Sequence, residues 1–320
     1  RLNLHILAWP KRKNQKENPF QSLLYGSLGD KGEVHVTEFG VFQLLFGRRP
    51  KVLHIHWPDV FLATAQGWRF WVKLVFIRVL FMFSRLLGIP VVWTAHNLKR
   101  PGQRNAARLH KYFWPWFARR IDGIIYMTEA SKLNAEEMFG CWRNTPNTII
   151  PHGHYRPIID KFVPISLLKS CSKPQLLFFG SITNYKNAYQ LLHAFLALPK
   201  GSAALAIKGK MSKVNPDHRL MQCLTSLSPE RREEVVFDNR FLDDDELIEV
   251  IHNSDLVVFP YSDVLNSGAA IFALSVGRPI LASDTPLFRE LQGQVGQRWV
   301  RLIDGELDGP ELADALKHAR

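Results

Sequence analysis

Short apolar runs alternate with longer amphipathic stretches along the whole chain. In the first half the runs are LNLHILAW, SLLYGSL, EVHVTEF, VLHIHW, IPVVWTAHN and GIIYMT, with helical stretches over 68–87 and about 104–120. Strand-length runs separated by helix-length segments predict a parallel sheet with crossover helices. After TIIPHGHY comes RPIIDKFVPISLLKSCSKPQ, whose prolines and weak periodicity mark a hinge or linker. A second series follows: QLLFFGSI, a helix at about 187–198, AALAIKG, a helix near 216–225, EVVFDNRF, a helix at 243–253, DLVVFPY, the GAAIFALSVG helix and PILAS. The pattern predicts an α/β protein with two doubly wound domains, residues 1–155 and 156–320. At 320 residues the chain is long for a single core, which agrees.

Composition narrows the class. With 46% hydrophobic and 22% charged residues the chain is globular rather than disordered. A net charge of +12 favours polyanionic partners: nucleic acid, an anionic membrane surface or phosphorylated small molecules. No helix-turn-helix, zinc or RNP pattern supports nucleic acid. Three cysteines without CxxC spacing argue against a disulfide framework and for a reducing, cytoplasmic setting. The opening RLNLHILAWP reads as a buried strand rather than an export signal. The stretch GWRFWVKLVFIRVLFMFSRLLGIP is interrupted by Arg69, Lys73, Arg78 and Arg85, so it does not qualify as a membrane span. It is expected to be a packed helix with outward-snorkelling basic side chains, the alternative being a helix at an anionic bilayer surface.

Ligands of open parallel sheets bind at the carboxyl ends of the strands. Residues just past the apolar runs therefore carry the candidate chemistry. In NSGAA a helix opens directly after a strand and a polar turn. Ser267 caps it, Gly268 permits close approach, and the amides of Gly268, Ala269 and Ala270 are placed to meet a phosphate. Lys208 and Lys210 in AIKGK, and Arg240 in DNRF, are phosphate or base contacts, or else solvated charges. In HIHWPDVF, Asp59 is a candidate general base, although aspartate after proline is also ordinary turn chemistry. His96 is a second candidate, as base or hydrogen-bond donor, and Glu38 a third. His54 and His56 share one face of a strand, and His152 and His154 flank Gly153. Lacking HExxH spacing or paired cysteines, these histidines are expected to line a cleft rather than hold metal. The acids of DDDEL complement a helix start. No metal site is expected.

Taken in order, FFGSITNYKNAYQLLHAF, SDLVVFPYSDVLNSGAAIFALSVGRPILAS, VVWTAHN and TIIPHGHY resemble the GT-B glycosyltransferases over nearly the whole chain. NPFQSLLYGSL, HIHWPD, TAHN and PHGHY are similar, more narrowly, to bacterial exopolysaccharide glycosyltransferases, including xanthan-type GDP-mannose-dependent β-mannosyltransferases. The resemblance implies two Rossmann-like domains facing across a cleft, acceptor held by the first and nucleotide sugar by the second. It implies that Lys186 grips the donor diphosphate, with Ser181 where retaining members carry an arginine. The donor pocket is expected to draw also on His152, His154, Lys208, Arg240, Tyr261, Asn266, Ser267, Gly268 and Ala269. The acceptor is expected beside Asn18, Phe20, Glu38 and His56, with Lys11, Arg12, Lys13 and Lys16 available for a pyrophosphate or lipid headgroups. Val264 and Phe272 fall where retaining members have two glutamates. Their absence fits an inverting, metal-independent enzyme, with Asp59 or His96 as the catalytic group.

The expected reaction moves a sugar from GDP- or UDP-sugar, GDP-mannose favoured, to a lipid-linked or polysaccharide acceptor. The expected setting is the cytoplasm, peripheral to the inner face of a bacterial membrane, with the nucleotide sugar as co-substrate and no cofactor. The alternatives are a retaining transferase with altered sugar contacts and a non-catalytic protein that binds nucleotide sugar or glycan.

Overall fold

A computed structural model describes residues 4–11, 19–29, 33–96, 98, 105–161 and 173–319. Arg12, Lys13, Lys16, Asn18, Asn97, Cys171 and most of the expected linker lie outside the described residues. The chain divides into two compact units, Arg1–Gly153 and His154–Arg320.

The first unit contains β1 (Leu4–Trp9), β2 (Val34–Glu38), β3 (Val52–Ile55), β4 (Val91–Thr94), β5 (Gly123–Tyr126) and β6 (Asn147–Ile149). They pair in parallel in the order β2-β1-β3-β4-β5-β6. The second unit contains β7 (Gln175–Phe179), β8 (Ala204–Lys208), β9 (Val235–Asp238), β10 (Leu256–Phe259), β11 (Ile280–Ser283) and β12 (Val300–Ile303). These are also parallel, in the order β12-β11-β10-β7-β8-β9. Each chain segment enters mid-sheet, builds outward on one side and crosses back to the other. That is the doubly wound α/β arrangement the apolar alternation predicts. The central strand β10 is buried at every residue, as a strand covered by helices on both faces must be.

Three elements depart from the sequence reading. SLLYGSL lies in the helix Phe20–Gly29 rather than in a strand. Leu24 and Leu28 repeat every four residues and pack with Tyr25 on Ala8 and Val36, so a short apolar run that could be strand or helix resolves as helix. Strand β12, within RWVRLID, went unread because its arginines mask a short edge strand. The helix Arg69–Leu86 packs Phe70, Leu74, Ile77, Leu80, Phe81 and Ser84 inward as expected, but its outer face is not simply basic. Trp71, Val72, Val75, Val79, Met82 and Leu86 are exposed there. Among the described residues no helix is long and apolar enough to cross a membrane.

Aromatic packing sets the end of β3. Trp93 stands edge-on to Phe117 at 5.3 Å and lies 5.4 Å from Trp142. Its Nε1–H donates to the His56 carbonyl at 3.2 Å, tying the core to the first residue past the strand. In the second unit the backbones after β7 and β8 come close. The Gly180 N–H donates to the Lys208 carbonyl at 3.0 Å, and Gly209 has φ +147°. A Cβ at Gly209 would overlap the Gly180 carbonyl, and its backbone conformation is one that other residues rarely adopt. Gly209→Ala is therefore expected to lower unfolding free energy by about 2 kcal/mol or more in denaturant melts. Gly140→Ala, where an added Cβ meets nothing within 4 Å, is the near-neutral control.

Candidate functional site

In the first unit His54 of β3, Thr94 of β4, Tyr25 of the Phe20–Gly29 helix, and His56 and His96 just past the two strands form a buried hydrogen-bonded row. Thr94 Oγ1 lies 2.8 Å from His54 Nε2, and His54 Nδ1 lies 2.8 Å from the Tyr25 hydroxyl. The same hydroxyl is 2.6 Å from His56 Nε2, and His56 Nδ1 is 2.9 Å from His96 Nε2. Burial pushes His54 down to about 4 and, with the neighbouring histidines, holds His56 well below the usual imidazole range. Burial also raises the Tyr25 phenol, so it keeps its proton.

A neutral row of this kind has two self-consistent proton orders, because Tyr25 has a single proton to donate. In one, Thr94 donates to His54, His54 to Tyr25, Tyr25 to His56 and His56 to His96. In the other every donor and acceptor is exchanged, and His96 carries its proton on Nε2. The row thus couples the tautomer of His96 to those of His56 and His54.

Phe20 caps the end of this row. Its ring centroid lies 5.1 Å from His96, 4.7 Å from His152 and 6.1 Å from His56. Trp57 stacks on His96 at 4.4 Å. The structure therefore brings together Phe20, His56, His96 and His152. His152 is half-buried, pushed down by burial, and its Nδ1–H donates to the Gly153 carbonyl at 2.7 Å. Asp59 is buried in the first turn of the helix Pro58–Ala63, where a carboxylate complements the helix dipole. Glu38 ends β2, and its carboxylate accepts from the Lys11 N–H at 3.1 Å. Beside Phe20, the buried carboxamide of Gln21 makes no hydrogen bond among the described residues. Tyr25 and Thr94 escaped the sequence reading, since strand order and the Phe20–Gly29 helix bring them to the histidines.

In the second unit strand order reverses between β7 and β10. This is the point where ligands enter such sheets. After β7, Gly180 (φ +106°) turns into the 3-10 turn Asn184–Lys186, closed by Asn187 in the left-handed region. After β10, the Ser262 N–H and Oγ both bond the Tyr185 carbonyl, at 2.9 and 3.0 Å. The two loops are thereby locked together. Lys186 Nζ sits 5.1 Å from the Tyr261 ring centroid and beside Gly180, within 3.5 Å of where a Cβ would stand. Among the described residues it has no acidic partner. Burial drives its pKa down to about 8. Tyr261 is itself 2% exposed. An under-compensated cation beside a bare glycine backbone suits an incoming phosphate.

The helix Gly268–Ser275 starts past the same strand. Ser267 caps it as expected, and its Oγ accepts from the Ala270 N–H at 3.2 Å. That corrects one expectation: the Ala270 amide serves the cap, which leaves Gly268 and Ala269 to face a ligand. Asn266 lies in the preceding turn and Ser181 is exposed after Gly180. Phe272 is 5% exposed and stacks 4.9 Å from Tyr155, whose N–H donates to Ser275 Oγ at 3.0 Å. The position held by a glutamate in retaining relatives is thus a core position here.

Other expected donor residues stand apart from this cluster. Arg240 makes a bidentate pair with Glu246 (2.7 and 2.8 Å) and meets Asp238 at 3.1 Å, so binding a nucleotide would require exchanging those partners. Lys208 ends β8 and is half-buried, Lys210 is exposed, and so is His154. Asp243 caps the helix Asp244–His252 and Glu246 completes a capping box, which accounts for DDDEL. Among the described residues no group of three His, Cys, Asp or Glu is placed to hold a metal ion.

The buried histidines generate one prediction. An imidazole kept neutral by folding contributes stability that is complete above its unfolded value of about 6.5 and is lost as pH falls toward the folded value. For His54, with a folded value of about 4, acidification from about pH 7 to about pH 5 is expected to remove about 2 kcal/mol. Urea melts of wild type and His54→Gln will show this as a shallower pH dependence in the variant. Lys186 generates another. Its free ammonium begins to deprotonate near pH 8, whereas bound diphosphate retains the proton. Nucleotide affinity is expected to fall about tenfold between about pH 7 and about pH 9 by calorimetry, and Lys186→Ala to be weaker and flatter.

Comparison with known proteins agrees with this fold. A family described as "Glycosyltransferase Family 4" matches residues 10–154, and one described as "Glycosyl transferases group 1" matches residues 173–319. The chain is 30% identical over 319 residues to the GDP-mannose:glycolipid 4-beta-D-mannosyltransferase of Xanthomonas campestris pv. campestris, covering 98% of this chain and 84% of that protein. Among solved structures, Anabaena HepE in complex with UDP superposes with a TM-score of 0.63 at 13% identity, over 98% of this chain and 89% of that one. A trehalose-6-phosphate synthase structure, described in connection with glycosyl transfer with retention, superposes with a TM-score of 0.60 at 12% identity, over 98% and 90%. Such distant structures speak to the fold, and the sequence relative to the family. The chain belongs to the GT-B glycosyltransferases and is a glycosyltransferase enzyme.

Proposed function

We propose that the protein transfers mannose from GDP-mannose to a lipid-linked saccharide, with inversion at the anomeric carbon and without a metal ion. The observation that carries the reading is Lys186, buried over Tyr261 against Gly180 with no acidic partner among the described residues. The donor diphosphate takes that place. As the glycosidic bond breaks, negative charge grows on the leaving phosphate, and Lys186 with the Gly268 and Ala269 amides stabilises it. Charge from these groups makes the reaction independent of a divalent cation. GDP-mannose and a glycolipid are the substrates in the name of the Xanthomonas relative, and this supports them here.

Two features support inversion. Phe272 fills with a packed ring the position from which a carboxylate would support same-face transfer. In the first unit Asp59 and His96 supply a base for the acceptor hydroxyl, with His96 steered by the buried row. The attacking oxygen approaches opposite the departing diphosphate, its proton passes to the base, and a β-mannoside and GDP leave. The enzyme works peripherally on a membrane that carries its acceptor, consistent with the exposed apolar face of the Arg69–Leu86 helix.

The test is direct. Purified protein, GDP-mannose and a lipid-linked acceptor in the presence of EDTA are expected to give a β-mannoside by NMR. Lys186→Ala should lower turnover by about a hundredfold or more. An α-linked product would overturn inversion, loss of activity in EDTA that magnesium restores would overturn metal independence, and stabilisation by UDP but not GDP in thermal melts would overturn the donor.

A further inference from the structure

A cavity in the first unit has a chemistry unlike that of the histidine row. Val91 opens β4 and Asp122 immediately precedes β5, so this cavity lies at the amino ends of those strands, the opposite sheet edge from His56 and His96. It encloses about 290 Å³ between the end of the Arg69–Leu86 helix and Trp116. Arg78, Arg85 and Arg120 line it, against one carboxylate. That carboxylate is engaged: Asp122 Oδ2 accepts from the Val91 N–H at 2.8 Å. Arg78 is aimed by a 3.2 Å bond to the Tyr112 carbonyl and by stacking 5.6 Å from Trp116. Arg85 and Arg120 have no acidic partner among the described residues. Three guanidinium forks around one hollow match the oxygens of a phosphate.

The rim selects which phosphate. Met82 and Leu86 border the cavity and are 52% and 74% exposed. From them an outward stripe runs back along the helix through Val79, Val75 and Trp71 to Trp68, at spacings of three or four residues. The helix sequence contains no acidic residue to repel an anionic surface. Arg49, just past the helix Val41–Phe46, donates to the Leu87 carbonyl, and Phe42 and Phe46 of that helix are 70% and 74% exposed. A free phosphate makes no use of an apolar stripe beside its pocket. An amphiphile does, with its headgroup in the cavity and its chains along the stripe.

We propose that this cavity binds the phosphate headgroup of an anionic phospholipid and so fixes the orientation of the first unit on the bilayer. The inference rests on the peripheral-membrane part of the proposed function and not on its chemistry. It is tested by sedimentation of the full chain with phosphatidylglycerol vesicles and with phosphatidylcholine vesicles. Arg85→Gln/Arg120→Gln is expected to bind phosphatidylglycerol vesicles about tenfold more weakly or worse. The control Arg143→Gln/Lys213→Gln, which removes the same formal charge from exposed positions elsewhere, should lose much less. Equal losses in the two variants would overturn the proposal in favour of diffuse attraction. So would equal wild-type binding to the two vesicle types, no binding to either, or displacement from vesicles by millimolar-range glycerol phosphate alone. Mannosyl transfer to a short-chain, water-soluble acceptor should be the same in wild type and Arg85→Gln/Arg120→Gln. If wild type lacks that transfer yet binds lipid selectively, the catalytic reading fails while the headgroup site stands.

Discussion

Parallel pairing sends every strand of a sheet to the same edge, and a reversal of strand order leaves a gap there that no crossover helix covers. In the second unit the reversal between β7 and β10 places the Gly180 turn beside Tyr261. Lys186 reaches into that gap, gives up most of its water and, among the described residues, gains an aromatic face but no acidic partner in exchange. A cation so placed is a cost to the folded protein until an anion arrives. The site is thus built from a topological necessity and one uncompensated charge.

The first unit treats buried polarity the other way. Thr94, His54, Tyr25, His56 and His96 satisfy one another, so the row is buried without leaving a charge behind. Trp93 joins it to the aromatic core through the His56 carbonyl, while Phe20 and Trp57 flank the His96 ring. The imidazole at the end of the row is held by packing on its faces and by a hydrogen bond along its edge. That combination makes orientation and protonation a single property of the fold.

Much of this could be read before any coordinates. The β7 and β10 runs, the Gly180 turn and the Ser267 cap all announce themselves locally, because strand length, glycine turns and helix caps are written within a few residues, whereas Lys186 stands out only through the family resemblance. Tyr25 was hidden, since SLLYGSL reads as a short strand-length apolar run and packing on Ala8 and Val36 reveals its helical period. Arg240 looked free because its partner Glu246 serves a capping box in the next helix, a pairing that depends on how the loop folds back. Phe272 was legible as a missing acid, but that its ring is committed to Tyr155 required the fold. The outer face of Arg69–Leu86 misled in the same way: periodicity shows where side chains point, not whether anything covers them.

The histidine row has one more consequence. Five groups share four hydrogen bonds, so a proton added to one imidazole changes what its neighbours can donate or accept. A change at Thr94, far along the row from His96, alters the balance between the two proton orders and hence the nitrogen that His96 offers.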